Sequence, residues 1–404
     1  MKNGTPKKGT RPGKMAVIIP AAFINSLAIG TMALGILFVV KDLYGASPAL
    51  VGAFGAVWST SYFLGCILLR RLVRRFRPRS SMAIMLGGSS TILMSFILWP
   101  GLMQAFVACA LYGFITAFFW PPVMGWLSKG YEGAELNRAT SLFSFSWSLG
   151  GIFSSYIAGL LSERGKFLPV IFAAVLFAID AAYVLASRLF VEDEGFPGKP
   201  AANAAAAGID RSTSLRYPAW LGAFLIYAVM GVMFNVFPVF ARDELSISES
   251  SIGLVLTVRA LATAFGFFAL GRLTFWQFKR AALPILSAGT AATLTFLVFQ
   301  RSPLGFALCF GLVGLLQSVM YNNSLFYATS GASDRDKRAT VHEALVTLGQ
   351  VIGSIAGGVL YQEFSMPVVF MGLALLTAAG AGIQVFMVAV PELRRSPPGQ
   401  AAGS

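Results

Sequence analysis

The chain has 404 residues, of which 56% are hydrophobic and only 12% charged. That is too little charge to clothe a water-facing surface, which excludes an ordinary soluble domain and makes lipid the expected solvent. The net charge of +14 does not point to nucleic acid, because the basic residues form short clusters between apolar runs without stacking aromatics.

A helix needs about 20 apolar residues to span hydrocarbon. Taken in chain order, such runs fall at 16–40, 50–69, 81–100, 103–127, 139–161, 167–187, 218–241, 250–271, 281–299, 304–329, 340–362 and 366–390. The first begins directly behind a basic start and has no small-residue cleavage site, so no leader is expected to be removed. Cys66, Cys109 and Cys309 all lie inside apolar runs, without the spacing of a disulfide framework or a metal site. No Walker motif or other phosphate-cradling loop is visible. Neither a cofactor nor enzyme activity is expected.

Twelve spans put both termini on one side. With the N-terminus inside, 25 of the 31 Lys and Arg residues fall in cytoplasmic segments and 5 in outer loops, leaving Arg259 within a span. The positive-inside rule then places both termini in the cytoplasm. The one long connection, 188–217, holds Pro197, Pro200 and an alanine-rich stretch, and reads as a cytoplasmic linker. It separates an N-terminal bundle, 1–187, from a C-terminal one, 218–404.

The two parts repeat. At an offset of 201, Gly30 falls on Gly231, Lys41-Asp42 on Arg242-Asp243, Gly52 on Gly253, Gly65 on Gly266, Arg71-Leu72 on Arg272-Leu273 and Gly113 on Gly314. At an offset of 200, Arg138-Ala139-Thr140 matches Arg338-Ala339-Thr340. A repeat of six spans in the same orientation predicts an all-α membrane protein of twelve helices in two parallel six-helix bundles.

With the loop after the second run, Arg71-Leu72-Val73-Arg74-Arg75-Phe76-Arg77-Pro78-Arg79, and its counterpart Gly271 to Arg280, the chain resembles the major facilitator superfamily across nearly its full length. The family pattern there is G-x-L-x-D-R-x-G-R-R. Its acid is absent: Arg74 stands at that position in one half and Phe275 in the other. In the family the acid is associated with the start of helix eleven, which here reads Thr340-Val341-His342-Glu343. The substitution suggests a cytoplasmic latch of Glu343 with Arg74 or Arg75, or else an acid that merely complements its own helix dipole. The arginine in helix four typical of proton antiporters and the Gly-Pro step of drug exporters in helix five are both missing.

The resemblance implies a monomeric secondary transporter that passes a small solute through a central cavity by alternating access, with the bilayer as its other partner. In that fold helix eight lines the cavity, and Arg259 sits near its middle. A guanidinium fork suits carboxylate or phosphate, so the expected solute is anionic; the alternative is a structural arginine bonded to neighbouring helices. Asp180 is a candidate proton relay or a structural acid. His342 and Glu343 are gate or coupling candidates, with a capping histidine as the alternative. The uncharged candidates for solute contact are Asn25, Trp58, Tyr62, Trp120, Trp147, Asn235, Gln317, Tyr321, Asn322, Asn323 and Gln350. Symport driven by a solute or proton gradient is the leading expectation. Export of an amphiphile, lipid flipping, and a sensor or assembly role without transport are the alternatives.

Overall fold

The computed structural model describes residues 13–128, 133–191, 213–270, 278–329 and 335–389, and these are almost entirely helical. Twelve rods are traced among them. In the first half they are α1 (Met15–Asp42), α2 (Pro48–Leu68), α3 (Pro78–Leu98), α4 (Leu102–Leu127), α5 (Gly133–Arg164) and α6 (Leu168–Ala186). In the second they are α7 (Arg216–Asp243), α8 (Glu249–Leu270), α9 (Ala282–Val298), α10 (Pro303–Thr329), α11 (Arg335–Glu363) and α12 (Met366–Ala389). Ten are long and apolar enough to cross a bilayer; α9 is apolar but shorter, and α5 is long and serine-rich. Most of the expected linker, at 192–212, and of the second basic loop, at 271–277, lies outside the described residues.

Proline explains both breaks within the rods. In α4 the α-helix ends at Ile115, tightens into a 3-10 turn over Thr116–Phe118 and resumes at Trp120, followed by Pro121 and Pro122. In α7 the break falls between Asn235 and Phe237, just ahead of Pro238. Each ring removes an N–H and crowds the preceding turn.

In the first half α1 packs on α5 and α6, α2 on α4, and α3 on α6; in the second, α7 packs on α10, α11 and α12, α8 on α10, and α9 on α12. The halves meet along two seams, α2 against α11 and α5 against α8. Since α2 repeats as α8 and α5 as α11, the seams are equivalent under the internal two-fold. Phe296, Leu375 and Phe386 stand exposed on α9 and α12, as side chains do where the surroundings are lipid.

The repeat extends to backbone geometry. Gly45, after α1, has φ +60°, and Ser246, after α7, has φ +52°. Their N–H groups close α1 onto Lys41 O and α7 onto Arg242 O, each at 3.1 Å. Two residues later Ser47 and Ser248 cap the next helices, their hydroxyls accepting from Leu50 N and Ser251 N at 3.3 Å. These are left-handed helix stops followed by N-caps at an offset of 201. The turns carry Lys41-Asp42 and Arg242-Asp243 to one end of the molecule, opposite the end where both halves of the chain begin and end.

Candidate functional site

At the turn end the halves are sealed. A Cβ on Gly52 would overlap the Ser354 carbonyl oxygen, and one on Gly253 that of Ser155. Gly159 is equally tight against Glu249, and Gly358 against Pro48. Such small residues let helix backbones touch. Each seam is also capped across the halves: Gln362 Oε1 on α11 accepts from Ala49 N at 3.3 Å, and Glu163 Oε1 on α5 accepts from Ser250 N at 2.9 Å. These side chains satisfy orphan N–H groups of the opposite half's helix.

Above the seams lies a clasp of charges. Lys41 pairs with Asp243 at 2.9 Å, and Arg242 reciprocally with Asp42. Lys166, between α5 and α6, bonds Asp42 at 2.9 Å and also Glu249 at the start of α8. Burial disfavours the Lys166 ammonium, but its bonds to Asp42 and Glu249 outweigh that and hold its pKa above the usual 10.5. In the sequence the two charged dipeptides stand out only as marks of the repeat. Their placement at equivalent helix ends was the signal that could have identified the clasp.

Below the seal, a cavity of about 480 Å³ opens between the halves, a size typical of small-molecule sites. Its wall brings together six of the expected residues, Arg259, Asn235, Gln317, Gln350, Trp58 and Trp147. Arg259 is 7% exposed. Its Nη1 donates to Gln317 Oε1 at 2.8 Å, and the guanidinium lies 4.4 Å from the Phe234 ring centroid. Thr263 Oγ1 donates to the same glutamine oxygen at 3.3 Å. Among the described residues no carboxylate pairs with Arg259. Tyr227, Phe234 and Phe267 complete an aromatic lining that the sequence reading missed, since a ring on an apolar helix carries no local mark of facing a cavity.

Three other candidates stand just behind the wall. Tyr62 stacks on Trp58 at 5.8 Å, Trp120 meets Trp147 edge-on at 4.5 Å, and Tyr321 packs against Tyr227 and Phe267. Asn25 is wholly buried off the cavity, and its neighbour Ser26 lines it instead. Asn322 and Asn323 do not line it, and Asn323 is buried.

Glu343 accepts from Tyr321 Oη at 2.9 Å and is 60% exposed at the cavity's open mouth. In this structure no ion pair joins it to Arg74 or Arg75, so the expected latch is not formed. His342 is fully buried; its Nδ1 lies 2.7 Å from Ser324 Oγ, tying α11 to α10. Asp180 is buried on α6, which packs on α1 and α3 away from the cavity.

Two six-helix halves around a lined central cavity are the architecture of one transporter family, and a model described as Major Facilitator Superfamily matches residues 18–218 and again 219–404. The chain belongs to that superfamily. Among curated proteins this superfamily member resembles the staphyloferrin B transporter of Staphylococcus aureus (strain NCTC 8325 / PS 47), with 27% identity over 168 residues. That match spans 39% of each chain. Among solved structures, the peptide transporter POT in complex with alafosfalin superposes with a TM-score of 0.75 at 14% identity, covering 98% of both chains. The nucleoside transporter NupG gives 0.73 at 12% identity, covering 92% of this chain and 99% of the other. A bacterial homologue of the human lysosomal transporter Spinster, inward-facing and occupied, gives 0.71 at 13%, covering 96% and 98%. The chain is a multi-pass membrane protein of that superfamily, the match to the curated relative spans well under half of that relative's length, and its family and structural neighbours are transporters.

Proposed function

We propose that this protein is a secondary transporter that carries a small organic anion across the bacterial inner membrane by alternating access. The carrying observation is Arg259: a buried guanidinium on the cavity wall whose protein partners are neutral. A desolvated charge without a counter-ion is costly, and an incoming carboxylate, phosphate or sulfonate supplies one. The aromatic wall suits an anion with an apolar body.

In this reading two bundles, 1–187 and 218–404, rock about the seams as a monomer, joined by the linker at 188–217. The positive-inside count puts both termini in the cytoplasm, so the clasp faces outward and the cavity mouth inward. Glu343 at that mouth is the group best placed to exchange a proton with water, which favours symport.

Thermal-shift and binding measurements on purified protein, with organic carboxylates, phosphates and sulfonates beside neutral analogues, test the anion. A binding anion is expected to lose about 10- to 150-fold in affinity in Arg259→Gln, the loss of one charge-assisted bond, and to recover part of it in Arg259→Lys. Full affinity in Arg259→Gln, or equal binding of neutral analogues, would reject the assignment.

A further inference from the structure

A second cavity, of about 270 Å³, lies at the mouth end of the first half, walled by the ends of α2 and α4 and by the turn between α2 and α3. Its lining is mostly apolar, with Val73, Phe76, Pro121, Pro122 and Trp126, and includes Arg70 and Arg74. Both arginines are exposed, and among the described residues no carboxylate pairs with either. The chemistry repeats that of the central site: aromatic and apolar walls with guanidinium groups that no carboxylate among the described residues pairs.

Two features join the cavities. The first is a row at four-residue spacing, Trp58, Tyr62 and Cys66 on α2, with Arg70 in the turn just past its end. Trp58 lines the central cavity, while Cys66 and Arg70 line the second. From Trp58 to Cys66 the helix rises about 12 Å along its axis. The second is Trp120 on α4, which touches Trp147 of the central wall and directly precedes Pro121 and Pro122 of the other. The partition between the two spaces is therefore aromatic on both sides.

We infer that the second cavity is a vestibular binding site for the transported anion, a station where Arg70 and Arg74 hold it beside the mouth and Tyr62 and Trp120 separate it from Arg259. This rests on the anion-transport reading and adds a site to it. The arginine at the position of the family's acid gives the loop a collecting function, since an acid there would repel the same ligand.

Cys66 is a built-in reporter. In a variant retaining only this thiol (Cys109→Ala, Cys309→Ala), the rate of its reaction with anionic sulfonatoethyl methanethiosulfonate is compared with that of the cationic trimethylammonioethyl reagent. The anionic-to-cationic rate ratio is expected to fall about tenfold or more in Arg70→Gln/Arg74→Gln, the scale of electrostatic focusing in a low-dielectric cleft. It should hold in Arg70→Lys/Arg74→Lys, which keeps the charge if the neutral pair folds poorly. Naphthalene sulfonate is expected to slow the reaction and neutral naphthalene methanol not to. An unchanged ratio in the neutral pair, or equal protection by the two naphthalenes, overturns the proposal. So does shielding by phosphatidylglycerol in nanodiscs without any effect of the sulfonate, which would give the pocket to lipid. Protection of Cys66 should survive Arg259→Gln, so failure of the central site and failure of this one are read separately.

Discussion

Arg259 is the residue on which the proposed anion chemistry turns, and its surroundings explain its availability. Gln317 takes one Nη1 hydrogen and Phe234 covers a face of the guanidinium, which fixes the fork without neutralising it. The sequence made Arg259 conspicuous because a charge within a span is costly and rarely idle. It gave no comparable mark to Phe234 or Tyr227, and it favoured Asn25 where Ser26 faces the cavity: one residue along a helix turns the side chain by about 100°, more than periodicity can fix on a helix apolar all round. At the mouth, Glu343 is held by Tyr321. If it carries the coupling proton, Glu343→Gln should leave exchange of solute intact in proteoliposomes while abolishing accumulation driven by a pH gradient. Accumulation at the unaltered level would remove Glu343 from the coupling step.

At the scale of helices, the seams depend on four glycines arranged as two equivalent pairs. A methyl group at Gly52 or Gly253 meets backbone across the seam, which cannot yield as a side chain end would, whereas one at Gly372 meets nothing within 4 Å. Gly52→Ala and Gly253→Ala are therefore expected to part the halves at the clasp and to raise the labelling rate of a cysteine placed at Ala46, which is buried in the turn, with Gly372→Ala as the silent control. Equal rates in all three would mean that the close approach is not what holds this end shut. The helices and the repeat were legible because span length, loop charge and an offset of 201 are properties of the chain read linearly. The left-handed stop at Ser246 was not, since serine carries no such signal where Gly45 does. The reciprocal capping by Gln362 and Glu163 was hidden for a different reason: it joins residues more than 80 apart whose meeting depends on how the halves dock.

Across the whole molecule, the clasp couples the halves through pairs that the internal two-fold exchanges. Arg242→Asp should release this end, and Asp42→Arg added to it should restore the pairing with reversed polarity. Spin-label distances across the turns would lengthen in the single variant and return in the double; a double variant as open as the single would show that the charges do not set the gate. Titration gives a second test. Because Lys166 holds its proton more tightly in the clasp than at its usual 10.5, its contribution to closure is complete below that value and is lost as pH rises through the elevated one. Alkaline opening is expected above pH 10.5 and should be absent in Lys166→Arg, measured by the same spin-label pair; identical profiles would exclude Lys166 as its origin.

The glycine contacts also set the mechanics of the cycle. Gly52 and Gly253 are related by the internal repeat, so in the proposed rocking they pivot the halves while the clasp is shut and must part when it opens. From Gly52 to the end of α2 at Leu68 the helix extends about 24 Å at its usual rise, a lever arm that moves its far tip roughly 0.4 Å for each degree of the proposed rocking. The leverage is thus concentrated where the arginines of the vestibule stand, and a tilt too slight to disturb the hinge is enough to widen or close the passage beside them.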